Sequence, residues 1–282
     1  MHPPRTYLFV PGDRPERFAK ALASGADAVV LDLEDAVLPQ AKAAAREAIG
    51  NFLAGSDARS RLVLRVNAED SPWFALDCEL LALYPGPAVM LPKAHNTLVL
   101  QALQGLSPGL AGLPGLPGLQ ILPLVESAAG VLAAEVLAAA PGVQRLVFGT
   151  LDYALDMGLE GELATTTGLD YAASRLALAS RAAGIASPVA GVTPAIDDEA
   201  LLLADLARAR AHGFGAKLCI HPKQVAAVHA ALAPSAEELA WAQRVLAAAA
   251  GSAGAVQLDG RMVDKPVIER ARRIAARGNP NI

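Results

Sequence analysis

The sequence predicts a (β/α)₈ barrel, and two features of its pattern carry that prediction. Short runs rich in Val, Ile and Leu alternate with Ala- and Leu-rich stretches that carry charges at helical spacing. Eight such units follow one another, and together they fill roughly 230 residues, the size of a closed barrel of parallel strands. An open, doubly wound sheet is the main competitor, and the regular repeat favours closure.

The predicted strands are continuously apolar because parallel strands joined by right-handed helical crossovers are buried on both faces. They span residues 7–10, 28–33, 62–66, 88–91, 119–125, 145–148, 189–192 and 217–220. The clearest helices between them span residues 16–23, 42–53, 128–139, 170–183 and 198–211.

Two parts of the chain lie outside this repeat. Residues 105–118, rich in Gly, Pro and Leu, are predicted as a surface connection before the fifth strand. After the eighth unit come a helix, a Gly/Ser/Ala break and an amphipathic segment. We therefore expect a barrel domain of residues 1–234 and a C-terminal helical extension of residues 235–282, which would cap the barrel or reach a neighbouring subunit.

Composition excludes several classes of protein. With 24 basic and 28 acidic residues, the net charge of −4 offers no basic surface for nucleic acid. A hydrophobic content of 53% is too high for a disordered chain. Two cysteines, Cys78 and Cys219, are too few for a disulfide scaffold and are predicted as buried apolar residues. Because no segment suits a signal peptide or a membrane span, we expect a cytoplasmic protein without a membrane partner.

Polar side chains follow six of the eight predicted strands, at the point where each strand ends. Barrel enzymes place their chemistry at this carboxyl-terminal rim, whereas a purely structural barrel needs no acids and bases there. Because all of these polar residues would lie at the same rim of the barrel, together they favour an active site. They are Glu34, Asp35, Arg65, Asn67, Lys93, Glu126, Asp152 and His221.

Each of these residues alone also has a structural interpretation. An acidic or hydroxyl residue after a strand is commonly the N-cap of the next helix, as Ser127 or Asp152 would be. The acidic pair 34–35 could be solvated or could form ion pairs with Lys42 and Arg46. His221 is expected to make a structural hydrogen bond.

Glu126 and Asp152 form the sharpest pair because they follow adjacent strands. Neighbouring strands lie about 4.8 Å apart, so the two carboxylates can share one hard cation and leave coordination positions open. Mg²⁺ prefers oxygen ligands, usually one or two carboxylates together with water and substrate. Since no cluster of His and Cys competes as a zinc site, the sequence predicts a Mg²⁺ site on these two carboxylates.

A series of motifs gives the chain a family resemblance. They follow one another as RTYLFVPGDRPERFAKA, DAVVLDLEDAVLPQAKAAAR, LRVN, MLPKA, PLVES, FGTLDYALDMG, GFGAKLCIHPKQ and MVDKP. In this order they resemble the citrate lyase β-subunit family and its relatives, the malyl-CoA and citramalyl-CoA lyases, from Arg5 to about Arg273. The resemblance implies a (β/α)₈ barrel that binds Mg²⁺ and cleaves or forms a carbon–carbon bond in acyl thioesters of 3-hydroxy acids.

The resemblance also implies roles for individual residues. Glu126 and Asp152 match the metal carboxylates of the family, and Arg65 matches its substrate-binding arginine. Glu34 and Asp35 match acidic residues near the metal that act through water. The remaining substrate or CoA contacts are expected at Arg5, Pro11, Gly12, Lys20 and Lys93.

Asp264 in MVDKP matches an aspartate that, in several relatives, enters the active site of the adjacent subunit of a trimer. The resemblance therefore implies a homotrimer, and our hypothesis is that Asp264 is the general base for cleavage. Asp156 is expected to have a structural role. The sequence departs from the family at Thr150 and Leu151, where relatives often carry a small residue and an acid.

The predicted reaction is cleavage, or formation, of a thioester such as citryl-, malyl- or citramalyl-CoA. Its products would be a 2-oxo acid, such as oxaloacetate, and an acetyl thioester on CoA or an acyl carrier. Arg65 would bind developing oxygen charge or a carboxylate. The alternatives are a metal-dependent aldolase of free 2-oxo acids, a subunit that is inactive outside a larger lyase assembly, and a thioesterase side activity.

Overall fold

The computed structural model describes residues 3–105, 118–160, 167–250 and 256–278, and a closed barrel is its main feature. Eight parallel strands pair in sequence order, and the first also pairs with the eighth. The predicted (β/α)₈ barrel is therefore confirmed. Its strands are β1 (Thr6–Pro11), β2 (Ala28–Asp32), β3 (Leu62–Arg65), β4 (Ala88–Leu91), β5 (Ile121–Val125), β6 (Val147–Phe148), β7 (Val189–Ala190) and β8 (Ala216–Cys219).

Helices connect the strands, as the alternating pattern predicts. They are α1 (Phe18–Leu22), α2 (Lys42–Ala54), α3 (Phe74–Leu83), α4 (Thr97–Leu103), α5 (Ala128–Leu132), α6 (Ala134–Ala138), α7 (Thr150–Asp156), α8 (Asp170–Ala182), α9 (Glu199–Ala211) and α10 (Lys223–Leu232). The helix predicted over residues 128–139 divides into α5 and α6 at Ala133. The surface connection predicted before the fifth strand falls mostly outside the described residues.

Alternate residues of each strand face the barrel interior, and this alternation decides what reaches the rim. In β2, Ala28 and Val30 belong to the interior core, and Asp32 follows on the same face. In β3, Val63 belongs to that core, and Arg65 follows it. A layer of charged side chains therefore lies above an apolar interior made of Tyr7, Ala28, Val30, Val63, Met90, Leu122, Leu124, Val147, Val189, Ala216 and Leu218.

β6 and β7 are shorter than predicted. Arg145, predicted as the first residue of a strand, donates from its side chain to the carbonyls of Pro4 and Ser187. The chain leaves β7 at Gly191, which packs so closely on Thr150 that a Cβ there would lie 2.4 Å from the Thr150 hydroxyl.

Residues 229–282 form a second compact unit. The division between the units falls inside α10, a few residues before the predicted boundary at 234/235. This unit contains α11 (Ala236–Ala249), an antiparallel hairpin of β9 (Val256–Leu258) and β10 (Arg261–Val263), and α12 (Lys265–Gly278). The hairpin was not predicted, although its Asp259-Gly260 turn, with φ of 51° and 73°, is a sequence signal for one.

Burial of the two cysteines is confirmed. Cys78 and Cys219 are free and buried, and burial raises the pKa of each thiol to about 12. Of the helices within the described ranges, none combines the length and apolar character that crossing a membrane requires.

Candidate active site

Arg65 lies at the centre of the carboxyl-terminal rim and is held by Asp32. Asp32 and Arg65 face each other in the register of β2 and β3. Arg65 Nε and Nη2 donate to the two carboxylate oxygens of Asp32 at 2.7 and 2.6 Å. The same carboxylate also accepts from the backbone N–H groups of Glu34 and Ala36. Because these two parallel hydrogen bonds use both oxygens of Asp32, they fix the plane of the Arg65 guanidinium.

Sequence reasoning missed Asp32, since it ends a strand that was predicted from its apolar residues. A signal existed, however. Asp32 is a charged residue inside a predicted strand that is otherwise apolar, and a buried charge needs a partner. Phe9 completes this environment, because the Arg65 guanidinium lies 4.9 Å above the centre of its ring.

The predicted acidic pair Glu34 and Asp35 also lies beside Arg65. Arg65 Nη1 is 3.0 Å from Glu34 Oε2 and 3.7 Å from Asp35 Oδ2. Burial by itself would lower the pKa of Arg65, but the Asp32 carboxylate, followed by Glu34 and Asp35, raises it above its ordinary value. Arg65 therefore remains charged.

The Glu34 carboxylate is buried, and several of its charged neighbours are acidic. Burial raises the pKa of Glu34 to about 8, the Arg65 charge opposes this rise, and the carboxylates of Asp35 and Glu126 add to it. The contact between Glu34 Oε2 and Arg65 is an ion pair without hydrogen-bond geometry, so this buried oxygen has no hydrogen-bond partner.

The alternative ion pairs of the acidic loop with Lys42 and Arg46 are not formed. Lys42 Nζ instead donates to the carbonyls of Leu33 and Glu34 at 2.8 and 3.0 Å. Arg46 pairs with Asp77 at 3.1 Å. Lys42 thus fixes the backbone of the loop after β2 and does not pair with the Glu34 and Asp35 carboxylates, which lie beside Arg65.

Glu126 follows β5, and its carboxylate is buried. Oε1 accepts a hydrogen bond from the backbone N–H of Lys93 at 2.7 Å. Gly149 leaves room for the other oxygen, since a Cβ at this position would lie 2.6 Å from Glu126 Oε2. Burial raises the pKa of Glu126 to about 7, the Lys93 N–H opposes this rise, and the charge of Asp152 adds to it.

Asp152 lies in the first turn of α7 and is exposed. The N-cap of α7 is Gly149, so the interpretation of Asp152 as an N-cap is wrong. Ser127, in contrast, is an N-cap, because its hydroxyl accepts from the N–H of Gly130 at 3.1 Å. Glu126 directly follows β5, and Asp152 follows the adjacent strand β6, so both predicted metal carboxylates lie after neighbouring strand ends.

The donor set at this rim fits a hard divalent cation. Glu126 Oε2 accepts no hydrogen bond from the residues described, and like-charged neighbours destabilise the ionised form of both Glu126 and Glu34. In the described part of the chain, no group of three or more His, Cys, Asp or Glu side chains is arranged to hold a metal ion. Two carboxylates with open positions are the arrangement in which Mg²⁺ takes water and substrate as its other ligands.

Three further residues that are predicted to contact substrate lie at this rim. Pro11 ends β1 opposite Asp32. Gly12 follows, and its N–H donates to the Asp32 carbonyl at 2.8 Å, so closely that a Cβ would lie 2.6 Å from that oxygen. Lys93 contributes its backbone N–H to Glu126, while its side chain is exposed.

The structure does not bring Arg5 to the rim. Arg5 precedes β1, and its backbone bonds to Asp27 and Lys217 at the amino end of the barrel. The six residues of β1 at about 3.3 Å each separate it from Pro11 by roughly 20 Å. The expected substrate contact therefore does not fit Arg5. Lys20 is exposed on α1.

Asp264 belongs to the second unit and precedes α12. Its Oδ1 accepts from the N–H of Val267 at 3.3 Å, and its carbonyl accepts from that of Ile268. Asp264 thus has a capping role within its own unit.

Two expected structural roles at the rim agree with the contacts. Asp156 Oδ2 accepts from the N–H of Ala128 at 2.7 Å and thereby joins α7 to α5. His221 Nδ1 bonds to the N–H of Lys223 at 3.2 Å.

The chain matches known protein families and curated relatives over nearly its whole length. Residues 5–222 match the family HpcH/HpaI aldolase/citrate lyase, and residues 176–280 match the C–C bond lyases of the TIM-barrel fold. A citrate lyase subunit beta-like protein of Deinococcus radiodurans is 38% identical over 96% of this chain and 95% of its own. A (3S)-malyl-CoA thioesterase of Cereibacter sphaeroides is 33% identical over 98% of this chain and 95% of its own.

Solved structures are similar to this chain as well. The protein CitE of Mycobacterium tuberculosis, in complex with magnesium, acetoacetate and coenzyme A, superposes with a TM-score of 0.81 and 36% identity over 97% of both chains. A citrate lyase beta subunit of M. tuberculosis complexed with oxaloacetate and magnesium gives a TM-score of 0.69 and 34% identity over 82% of this chain and 97% of its own. With its closed barrel and these matches, the chain belongs to the HpcH/HpaI aldolase/citrate lyase family and is an enzyme of the carbon–carbon lyase type.

Proposed function

We propose that this enzyme is a Mg²⁺-dependent lyase that cleaves, or forms, a 3-hydroxyacyl thioester such as citryl-, malyl- or citramalyl-CoA. The products of cleavage are a 2-oxo acid and an acetyl thioester. The observation that carries the proposal is the buried Glu126 carboxylate after β5 and Asp152 after the adjacent strand β6, with the fixed guanidinium of Arg65 at the same rim. The structures of relatives with magnesium and either coenzyme A or oxaloacetate support it.

Glu126 and Asp152 would hold the cation. When bound, Mg²⁺ supplies Lewis-acid polarisation of substrate oxygens and offsets the negative charge of the rim. Arg65 Nη1 points toward the acidic loop. We assign to Arg65 the binding of the carboxylate of the 2-oxo acid. Because Asp32 holds the other edge of the guanidinium, Arg65 binds this carboxylate without first losing side-chain freedom.

Cleavage requires loss of the substrate's 3-hydroxyl proton. As the carbonyl of the 2-oxo acid forms, the bond between C2 and C3 breaks, and its electron pair passes to the thioester as an enolate. The enolate then takes a proton at C2 and becomes the acetyl thioester. We assign removal of the hydroxyl proton to Asp264, supplied by a neighbouring subunit of a homotrimer. The cytoplasmic location and the homotrimer remain predictions.

The metal assignment is tested with Glu126→Ala and Asp152→Ala. Each variant is expected to lose Mg²⁺-dependent cleavage of malyl-CoA or citramalyl-CoA, with an unchanged far-UV circular dichroism spectrum. Mg²⁺ affinity equal to that of the wild type in both variants would remove the proposed site.

The base assignment is tested with Asp264→Asn. We expect thioester cleavage to fall by about 10²- to 10⁴-fold, the usual contribution of a general base. Mg²⁺ affinity should be unchanged, since Asp264 is not assigned to the cation. Near-normal turnover in a folded variant would reject the role of Asp264.

A thioesterase activity at the same site is a second candidate, favoured by the similarity to (3S)-malyl-CoA thioesterases. In that reaction water attacks the thioester carbonyl, and the free hydroxy acid and CoA are released. The products separate the two reactions, because lyase activity yields acetyl-CoA and a 2-oxo acid, whereas hydrolysis yields the intact hydroxy acid.

The remaining alternatives are separated by substrate and by assembly. A panel of free 2-oxo acids and aldehydes, assayed beside CoA thioesters, tests for an aldolase. Activity of the isolated chain on a CoA thioester would exclude a subunit that is inactive alone.

A further inference from the structure

The loop after β4 makes an unusual backbone connection to the end of β5. The N–H of Lys93 donates to Glu126 Oε1 at 2.7 Å, and the next N–H, that of Ala94, donates to the Leu124 carbonyl at 3.0 Å. Two successive amides of one loop therefore bond to the neighbouring strand, one of them to the carboxylate at the proposed metal site.

This connection depends on a backbone conformation that L-residues rarely adopt. Lys93 has φ of +51°, and in the described ranges only Asp259 among the other non-glycine residues also has a positive φ. Unlike Asp259, which lies in a hairpin turn, Lys93 lies directly at the rim. Strained backbone of this kind persists where the surrounding structure imposes it, and it is concentrated at functional sites.

The connection distinguishes the two oxygens of Glu126. Oε1 is engaged by the Lys93 amide. Oε2 lies against Gly149, where the missing Cβ leaves space, and accepts no hydrogen bond from any described residue. The exposed ammonium of Lys93 takes no part in this arrangement.

We propose that Lys93 is a positioning residue whose backbone N–H, held by its left-handed conformation, turns Glu126 so that Oε1 stays bound to the protein and Oε2 is presented to the cation. This inference rests on the proposed function, because it assumes that Glu126 binds the metal. The lysine side chain is not required for it, and the expected contact of that side chain with substrate stays a separate prediction.

Two substitutions separate the backbone from the side chain. Lys93→Gln and Lys93→Val both remove the ammonium. Only valine is β-branched, and β-branched residues resist a positive φ. Lys93→Gly serves as a third variant, since glycine adopts this conformation without strain.

The probe is Mn²⁺, which is followed by its electron paramagnetic resonance signal and displaced by Mg²⁺, without substrate. Lys93→Gln and Lys93→Gly should bind it as the wild type does. Lys93→Val should bind it about 10- to 100-fold more weakly, the usual effect of losing a partner that orients a metal ligand.

A variant at another position covers the case that Lys93→Val fails to fold. Gly130→Ala leaves Lys93 intact, but its Cβ would lie 2.6 Å from the Ala94 carbonyl oxygen, so it displaces the same loop and should also weaken binding. If Lys93→Gln, Lys93→Val and Gly130→Ala all bound Mn²⁺ with the same affinity, the inference would be overturned while the metal site stayed in place. The inference would also be overturned if Lys93→Gln and Lys93→Val lost affinity equally. Absence of binding by the wild type would overturn the proposed function and, with it, this inference.

Discussion

Single residues at the rim carry buried charges that depend on one another. The clearest example is Asp32, which is 1% exposed and bonds Arg65 through both oxygens. Such a pair is weak evidence for stability in itself, but removal of one partner leaves a buried charge uncompensated. The pair therefore serves chiefly to fix the guanidinium in one place.

We predict that Asp32→Ala lowers the free energy of unfolding by about 3–5 kcal/mol, as expected for a broken buried ion pair. Urea denaturation measures this change. Asp35→Ala is the matched control, because Asp35 belongs to the same loop but is exposed and lies 3.7 Å from Arg65. Its effect should stay within about 1 kcal/mol. Equal effects of the two substitutions would mean that Asp32 does not anchor Arg65.

Lys217 is a second buried charge, away from the rim and on the outer side of β8. It is 1% exposed, and its Nζ donates to the Gly191 carbonyl at 2.9 Å. Burial lowers the pKa of Lys217 to about 8, and Asp205 opposes this shift. In the folded protein, Lys217 therefore loses its proton well below the pH at which it does so in the unfolded chain.

The sign of the resulting pH dependence follows from proton binding. Between about pH 8 and 10.5 the unfolded chain holds a proton on Lys217 that the folded protein has lost, so stability rises with pH in this window. The wild type should gain up to about 3 kcal/mol of unfolding free energy relative to Lys217→Met across it. Urea denaturation of both proteins at several pH values measures the difference. A difference that is constant with pH would contradict the shifted pKa.

Among elements, the contact between α7 and α5 matters most for the metal site. Asp152 lies in α7, and Glu126 directly precedes the cap of α5. Asp156 joins the two helices by accepting from the N–H of Ala128. This hydrogen bond holds together the two loops that carry the proposed ligands.

We expect Asp156→Ala to lower Mg²⁺ affinity several-fold and stability by about 1 kcal/mol, the usual contribution of such a hydrogen bond. Calorimetric titration measures the affinity. Ser235→Ala is the control, because it removes the capping box of α11 in the second unit at a similar cost in stability. The role of Asp156 would be refuted if both variants bound Mg²⁺ equally well.

For the whole molecule, the proposed homotrimer leads to a prediction about Asp264. If a neighbouring subunit supplies Asp264, each active site combines Glu126 of one subunit with Asp264 of another. Glu126→Ala and Asp264→Asn then each remove only one of these two contributions. Subunit exchange between the two inactive proteins should then restore activity, to about a quarter of the wild-type value for random mixing in a closed ring.

Light scattering of the mixture checks the oligomeric state, and an acetyl-CoA assay before and after exchange checks the activity. Two preparations of Asp264→Asn mixed with each other provide the control, which should remain inactive. If exchange is complete and no activity returns, Asp264 does not act between subunits.

The barrel itself could be read from the sequence because its signals are local. Each strand is an apolar run of four to seven residues between helical patterns, and such runs remain buried whatever their exact bounds. The same holds for the polar residues that follow the strands, since every parallel strand of a barrel ends at the same rim. Glu34, Asp35, Arg65, Glu126 and Asp152 are predicted in this way, and each of them lies at or just after the carboxyl end of a strand.

The contacts that could not be predicted from the sequence depend on the register of neighbouring strands and on the direction of backbone N–H groups. Asp32 becomes the partner of Arg65 only when β2 and β3 are aligned, and Arg5, although part of a matching motif, lies at the amino end of β1. The contact of Lys93 with Glu126 joins positions 33 residues apart through a main-chain amide, which no residue type encodes. The sequence alone thus determined the barrel, the family resemblance and the acidic rim, because these follow from periodicity and order. Only the tertiary structure decided which atoms hold Arg65 and Glu126, because hydrogen bonds across strands require both strands to be in place.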